Sequence, residues 1–304
     1  MGTPLVAARL MLPPGDPVST YGAVPRLGFP EARLTDSPLE AITDELHRRA
    51  GGNPLGVADP LRVTDPVAGG WISASALVGG DALPLLLNGP VERWGAAPHA
   101  AAALAWKAYS YWLTLPAIVG LTCVNRVPLL DADNVLVQLS YQAPFVTVGM
   151  RRPAVAVLPD DRYAGAPGTV VVPDRDVLLR ALADSLVTRH LGPLADATRA
   201  RVRIGSRILS GSLAASVAYA LRFISGLAPA GEGLAAQGKA ILDALSVTDL
   251  VSMDEAADGT IAVRRHTCCL AFTVPQLSIC STCCIQPEDG SAAQAAHLGG
   301  SDPA

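Results

Sequence analysis

Apolar positions along this chain change their period several times, and each change marks an element. Leu39, Ile42 and Leu46 recur three and four residues apart, the spacing of one helix face. Asp36-Ser37-Pro38 supplies a cap and a first-turn proline ahead of them, and Gly51-Gly52 ends the run. Residues 51–90 read as irregular, with a strand near 71–78. The stretch 96–120 is apolar on every side and predicts a long buried helix, which Pro116 should kink or shorten. Trp106, Tyr109 and Trp112 recur at helical spacing within it and read as core. Val135-Leu136-Val137-Gln138-Leu139 and Phe145-Val146-Thr147-Val148 read as two strands of a hairpin turning at Tyr141-Gln142-Ala143-Pro144. A third strand is expected at 169–172.

Asp174 then caps a helix to about 191, which Gly192-Pro193 should break, and helices follow at 194–203, 204–226 and 233–246. Residues 249–265 return to strand, turning at Asp258-Gly259. The first 35 residues are rich in Pro and Gly and predict loop. Residues 287–304 form a polar, small-residue tail expected to be disordered. There is no internal repeat. The pattern predicts an α+β fold: a mostly helical body with a small antiparallel sheet and a C-terminal hairpin carrying a cysteine-rich loop. The boundaries fall at 1–247 for the body, 248–286 for the hairpin and cysteine segment, and 287–304 for the tail.

Composition narrows the function classes. Half of the 304 residues are apolar, enough for a substantial core, and the formal net charge is −4. A nucleic acid as main partner is disfavoured, because phosphate backbones select an excess of Lys and Arg. Arg outnumbers Lys by 21 to 2, which with the abundant Ala, Gly and Pro reads as the codon bias of a GC-rich genome. The start lacks the long apolar run of a signal peptide and is broken by Pro13-Pro14. Residues 100–124 contain Lys107 and Pro116, and 204–228 contain Arg207 and Arg222. A spanning helix wants about 20 mostly apolar residues with few charges, so both read as buried helices. A soluble, cytoplasmic protein is expected, with contact at a membrane surface left open.

Of six cysteines, five fall between Cys268 and Cys284, and the sixth is Cys123. Disulfides are rare in the cytosol, so a tight cluster favours a metal. The spacing is Cys268-Cys269, ten residues, Cys280-x-x-Cys283, with Cys284 extra. Cys280-x-x-Cys283 puts two sulfurs on one side of a tight turn. Four thiolates suit either zinc or an iron–sulfur cluster. The ferredoxin spacings C-x2-C-x2-C and C-x4-C-x2-C are absent, and a Rieske centre needs two histidines where only His266 is near. Adjacent cysteines on extended backbone point to opposite faces, which is awkward for one zinc and easier for a cluster with two irons.

Cys268-Cys269-x10-Cys280-x2-Cys283 near the C-terminus, preceded by Arg264-Arg265, resembles the FhuF family of ferric-siderophore reductases. The stretch from Cys268 to Pro275 and the helical run 206–223 fit it as well. The resemblance implies a [2Fe–2S] cluster held by Cys268, Cys269, Cys280 and Cys283. It also implies one-electron reduction of a ferric siderophore, of hydroxamate type, releasing Fe(II). This sequence departs from the family in its Gln276-Leu277-Ser278-Ile279 loop and in Cys284, which could ligate in place of Cys283.

The remaining residues are consistent with electron transfer. No catalytic triad, His-Glu-x-x-His, paired carboxylate, G-x-G-x-x-G or P-loop motif occurs. Electrons would therefore come from a partner, a ferredoxin or a flavin-dependent reductase. Arg264 and Arg265 read as solvated charges at a strand end, or alternatively as charges that raise the cluster potential or dock an anion. Arg151-Arg152 reads as a surface turn and Cys123 as a packed small hydrophobe. Two other functions stay open: a zinc-stapled scaffold without redox activity, and an iron–sulfur sensor, disfavoured by the lack of any DNA-reading element.

Overall fold

The computed structural model describes residues 37–67, 69–225 and 233–285. The loop expected at 1–35 and the tail expected at 287–304 lie outside them. Helix α1 (Glu40–Ala50) buries Ile42 and Leu46. The Ser37 hydroxyl accepts from the Leu39 N–H at 3.3 Å, and Gly51 ends the helix with a left-handed φ of 57°. The centre of the fold is α4 (Pro98–Val124), which is apolar on all sides and buried along most of its length. It runs through Pro116 and is not shortened there. Helix α7 (Ser206–Ile224) lies along it in the most extensive helix pairing of the described chain. Trp106 Nε1 donates to the Leu209 carbonyl at 2.9 Å, and the Ser110 and Ser216 hydroxyls meet at 3.2 Å. Trp106, Tyr109 and Trp112 are all core residues, as their spacing predicts.

The segment 51–90 is more regular than its residues suggest. It holds β1 (Val57–Arg62), β2 (Ile72–Ser73), α2 (Ala74–Val78) and the start of α3 (Leu83–Trp94). The strand expected at 71–78 is therefore two residues of strand followed by a helical turn. Gly89-Pro90 disguises α3, yet Leu83, Leu86, Leu87 and Pro90 line its buried side at helical spacing. Pro84 sits in the first turn, where an N–H is not needed.

The fold is α+β, and two of its three small sheets are mixed rather than antiparallel. The first has the order β1-β5-β4-β2, with the expected hairpin of β4 (Val135–Leu139) and β5 (Val146–Met150) at its centre and β1 added parallel to β5. The second orders β3 (Arg126–Pro128), β6 (Val155–Val157) and β7 (Thr169–Val171), with β6 and β7 parallel. The third is the C-terminal hairpin of β8 (Val251–Glu255) and β9 (Ile261–Arg265). Its tip is one residue longer than the two-residue turn expected: Ala256 N donates to Thr260 O at 2.9 Å, and Gly259 takes the left-handed position at φ 79°.

Gly192-Pro193 does not break its helix. Asp174 accepts from the Val177 N–H at 2.8 Å and opens α5 (Arg175–Ala183). A π-helical stretch, Asp184–Leu191, leads without interruption into α6 (Gly192–Arg201). Pro193 has no N–H and its ring crowds the carbonyl four residues back. The wider turn absorbs this, with Gly192 N donating to Val187 O five residues back. Helix α8 (Leu234–Ala244) packs on α7 and β8. No helix among the described residues is long and apolar enough to cross a membrane.

Candidate metal centre

β9 delivers the chain to the cysteines, and backbone bonds fix its exit. Arg265 N donates to Thr282 O at 3.0 Å, tying the strand end to the second half of the cysteine segment. His266 N donates to Leu250 O at 3.0 Å, and the His266 ring donates from Nδ1 to Asp249 O at 2.8 Å. That leaves His266 on the exposed side and out of the sulfur group. Leu270 turns the chain with φ 63°, a short 3-10 turn spans Ala271–Thr273, and Cys283 N donates to Cys280 O at 3.0 Å to close the Cys-x-x-Cys turn. Val274, Leu270 and Leu277 pack on Ala96, Ala100 and Ala101 at the start of α4, where the small side chains allow close approach. Leu104 then bridges this apolar patch to the sulfurs.

Cys269, Cys280 and Cys283 are buried in one small cluster with Ala271, Leu104 and Leu277. Cys268 and Cys284 are half-buried beside them. The sulfurs form two hydrogen-bonded pairs, Cys269 with Cys280 and Cys283 with Cys284, and Cys268 lies within electrostatic reach of Cys269, Cys283 and Cys284. Cys268 Sγ also accepts from the Leu270 N–H at 3.3 Å. The Cys280 thiol donates to Cys269 and, helped by Arg265, the Ala271 N–H and Lys107, pushes Cys269 towards thiolate against the opposing effect of burial. The same bond pushes Cys280 up and keeps its proton, while burial is the main cause of the upward shift of Cys268 and of Cys284. Three of the four proposed ligands, Cys269, Cys280 and Cys283, therefore pack together, with Cys268 and Cys284 beside them. Cys123 does not join them: it lies at the far end of α4 from Leu104, roughly 28 Å along the helix axis.

Arg265 is where the sequence reading fails. Instead of a solvated strand end, it is a fully buried guanidinium behind the cysteines. Nε donates to Thr267 O and Nη2 to Ser212 Oγ, each at 3.2 Å, and Nη1 has no partner. Among the described residues no carboxylate lies within ion-pairing distance of it. No Asp or Glu occurs between Asp258 and Glu288, nor anywhere in α4 or α7. Gly211 is a second residue that sequence reasoning missed. A Cβ there would stand 1.9 Å from Thr267 Oγ1, so glycine lets the residue before Cys268 rest on the α7 backbone. Its only sequence signal was a glycine inside an otherwise regular helical pattern.

Among the described residues, no three His, Cys, Asp or Glu side chains converge tightly enough, as they stand, to hold a metal ion. The donor set nevertheless fits a thiolate-bound group: paired sulfurs, backbone N–H donors beside them, and an orphaned cationic N–H on the buried side. Ligands in pairs are what a two-iron cluster takes. A cleft elsewhere, about 230 Å³ and lined by Trp106, Asp196, Arg199 and Ser210, is smaller than ordinary ligand pockets. No protein-family model matches the chain. No curated protein matches it either.

Proposed function

We propose that this chain is a one-electron ferric-siderophore reductase of the cytoplasm, similar to the FhuF family. Cys268, Cys269, Cys280 and Cys283 would hold a [2Fe–2S] cluster, with Cys284 beside them. The observation that carries the reading is the buried cluster of Cys269, Cys280 and Cys283, with Cys268 and Cys284 beside it, backed by a buried guanidinium without a carboxylate among the described residues. Bound there, the cluster would supply one-electron reduction of a ferric chelate, whose hard oxygen donors hold Fe(II) far less tightly than Fe(III).

The chain's own residues serve that chemistry in three ways. Leu270 and Ala271 N–H groups stabilise thiolate sulfur. Leu104, Leu277 and Val274 keep water from the inner side. Phe272, Ile279 and Ile285 are exposed on the cysteine segment itself, and they offer an apolar contact face to a ferric chelate or to the donor, a ferredoxin or a flavin-dependent reductase.

The test is the visible spectrum of anaerobically purified full-length protein before and after dithionite, followed by ferric hydroxamate turnover with a ferredoxin donor. Sulfur-to-iron absorption that bleaches on reduction, with Fe(II) release from the chelate, supports the reading. A colourless protein holding stoichiometric zinc, even after attempted cluster reconstitution, replaces it with the zinc-stapled scaffold. A bleachable cluster that passes electrons to no ferric chelate replaces it with a sensor.

A further inference from the structure

We propose that Arg265 is a positioning residue that supplies the counter-charge of the cysteine site and so sets how readily it accepts an electron. The proposal rests on the iron–sulfur reading of that site. Its basis is the hydrogen bonding of a side chain that cannot give up its proton. Arg265 is the largest fully buried side chain of the described chain. Its hydrogen-bond partners are neutral, a backbone carbonyl and the Ser212 and Tyr219 hydroxyls, and Nη1 has none. A buried charge left without an anion is strongly destabilising. Segments α4, α7 and 259–287 contain no acid, and on β8 and the turn before it Asp249 pairs with Arg207 and Glu255 accepts from the Ala235 N–H, so no ion pair to Arg265 forms among the described residues. The anions within its reach are thiolates, and it acts on Cys269 and Cys284.

Thiolates and sulfides around two irons carry net negative charge in both redox states, and one unit more once an electron from a donor such as dithionite or a ferredoxin has been accepted. A fixed cation on the dry side of the site favours the more negative state, and its effect is little screened there. Ser212 holds the guanidinium from α7, and Thr267 holds it from the cysteine segment, so its position is fixed from both sides.

The experiment is a redox titration of anaerobically reconstituted full-length protein, read by the visible absorbance, on three variants. Arg265→Met removes the charge, and the equilibrium constant for one-electron reduction is expected to fall tenfold or more, a downward shift of about 59 mV or more. Arg265→Lys keeps the charge and loses the fork, and it should shift by less than half as much. Ser212→Asp leaves Arg265 in place and neutralises it with a carboxylate, and it should fall as Arg265→Met does. That variant decides the matter together with Arg265→Lys if Arg265→Met does not take up a cluster. Wild-type potentials in Arg265→Met and Ser212→Asp overturn the role of Arg265 and leave the iron–sulfur reading standing, as does a Lys variant that falls as far as Met. A wild-type protein that gains no bleachable absorbance on reconstitution overturns both.

Discussion

His190 and Arg265 are both fully buried polar side chains, yet one network closes on itself and the other does not. His190 donates from Nδ1 to Leu130 O at 2.7 Å and accepts at Nε2 from the Tyr109 hydroxyl at 2.6 Å. Every polar atom of the ring is used and no charge is left over, so the group is complete in the protein alone. Arg265 keeps its charge, lacks a carboxylate among the described residues, and leaves Nη1 without an acceptor. A few neutral groups share that last feature, among them Trp112 Nε1 and Thr114 Oγ1, but an orphaned neutral donor costs far less than an orphaned cation. The closed network reads as a lock on the π-helical stretch. The open one reads as half of a site.

The largest expected effect attacks the open side directly. Cys269→Ala and Cys280→Ala should each abolish the visible chromophore after anaerobic reconstitution, measured as iron and sulfide per chain. Cys284→Ala should retain it. If Cys284→Ala loses the chromophore and Cys283→Ala keeps it, the fourth ligand is Cys284, and the comparison survives with one sulfur exchanged.

The closed side makes a pH prediction. Burial pushes His190 down to about 4 from its ordinary 6.5, because a neutral ring fits its pocket and a charged one does not. The unfolded chain therefore binds a proton between pH 6.5 and about 4 that the folded chain refuses. Stability is fully present above 6.5, falls with pH through that window, and levels off below about 4. The drop from this one group should be roughly 2 kcal/mol, measured by denaturant titration of metal-free protein at pH 7 and pH 4.5. His190→Gln should lose most of that slope. Tyr109→Phe leaves Nε2 without its donor and should lower stability by about 1–3 kcal/mol at pH 7. A pH slope unchanged in His190→Gln would break the reading of His190 as a neutral lock.

What could be read in advance follows from where the information lies along the chain. Local pattern, an unbroken apolar run or strand residues around a turn signal, placed the buried run of α4, the β4–β5 hairpin and the β8–β9 hairpin, because each is specified by contiguous residues. Cysteine spacing singled out, for the same reason, the segment in which Cys269, Cys280 and Cys283 pack together. The parallel pairing of β1 with β5 and of β6 with β7 was not legible, since partners distant in sequence leave no local trace. Gly89-Pro90 and Gly192-Pro193 were read as breaks because propensity is local, whereas the burial of Leu86 and Leu87 and the wide π turn are tertiary solutions. Arg265 illustrates the limit most sharply. An Arg-Arg pair at a strand end looks solvated, and only the packing of β9 on α7 shows which of the two is enclosed.

The smallest effect concerns how the open site is held against the helices. Gly211→Ala gains about 1 kcal/mol of helix propensity, so in an unconstrained helix it would stabilise. Here the new methyl would meet Thr267 Oγ1 at 1.9 Å and the Thr267 Cβ and Cγ2 at 2.6 Å. A β-branched side chain has little rotamer freedom with which to retreat. Overpacking of this kind costs about 1–3 kcal/mol, which leaves a net loss of about 1 kcal/mol in metal-free protein. The displacement falls on the residue before Cys268, so cluster retention should suffer more than the fold does. Thr267→Ala in the same chain removes two of the three clashing atoms and should recover part of the loss, a coupling that a double-mutant cycle reads directly. If Gly211→Ala were more stable than the parent and held its cluster as well, the cysteine segment would not rest on α7, and Arg265 would not be enclosed between them.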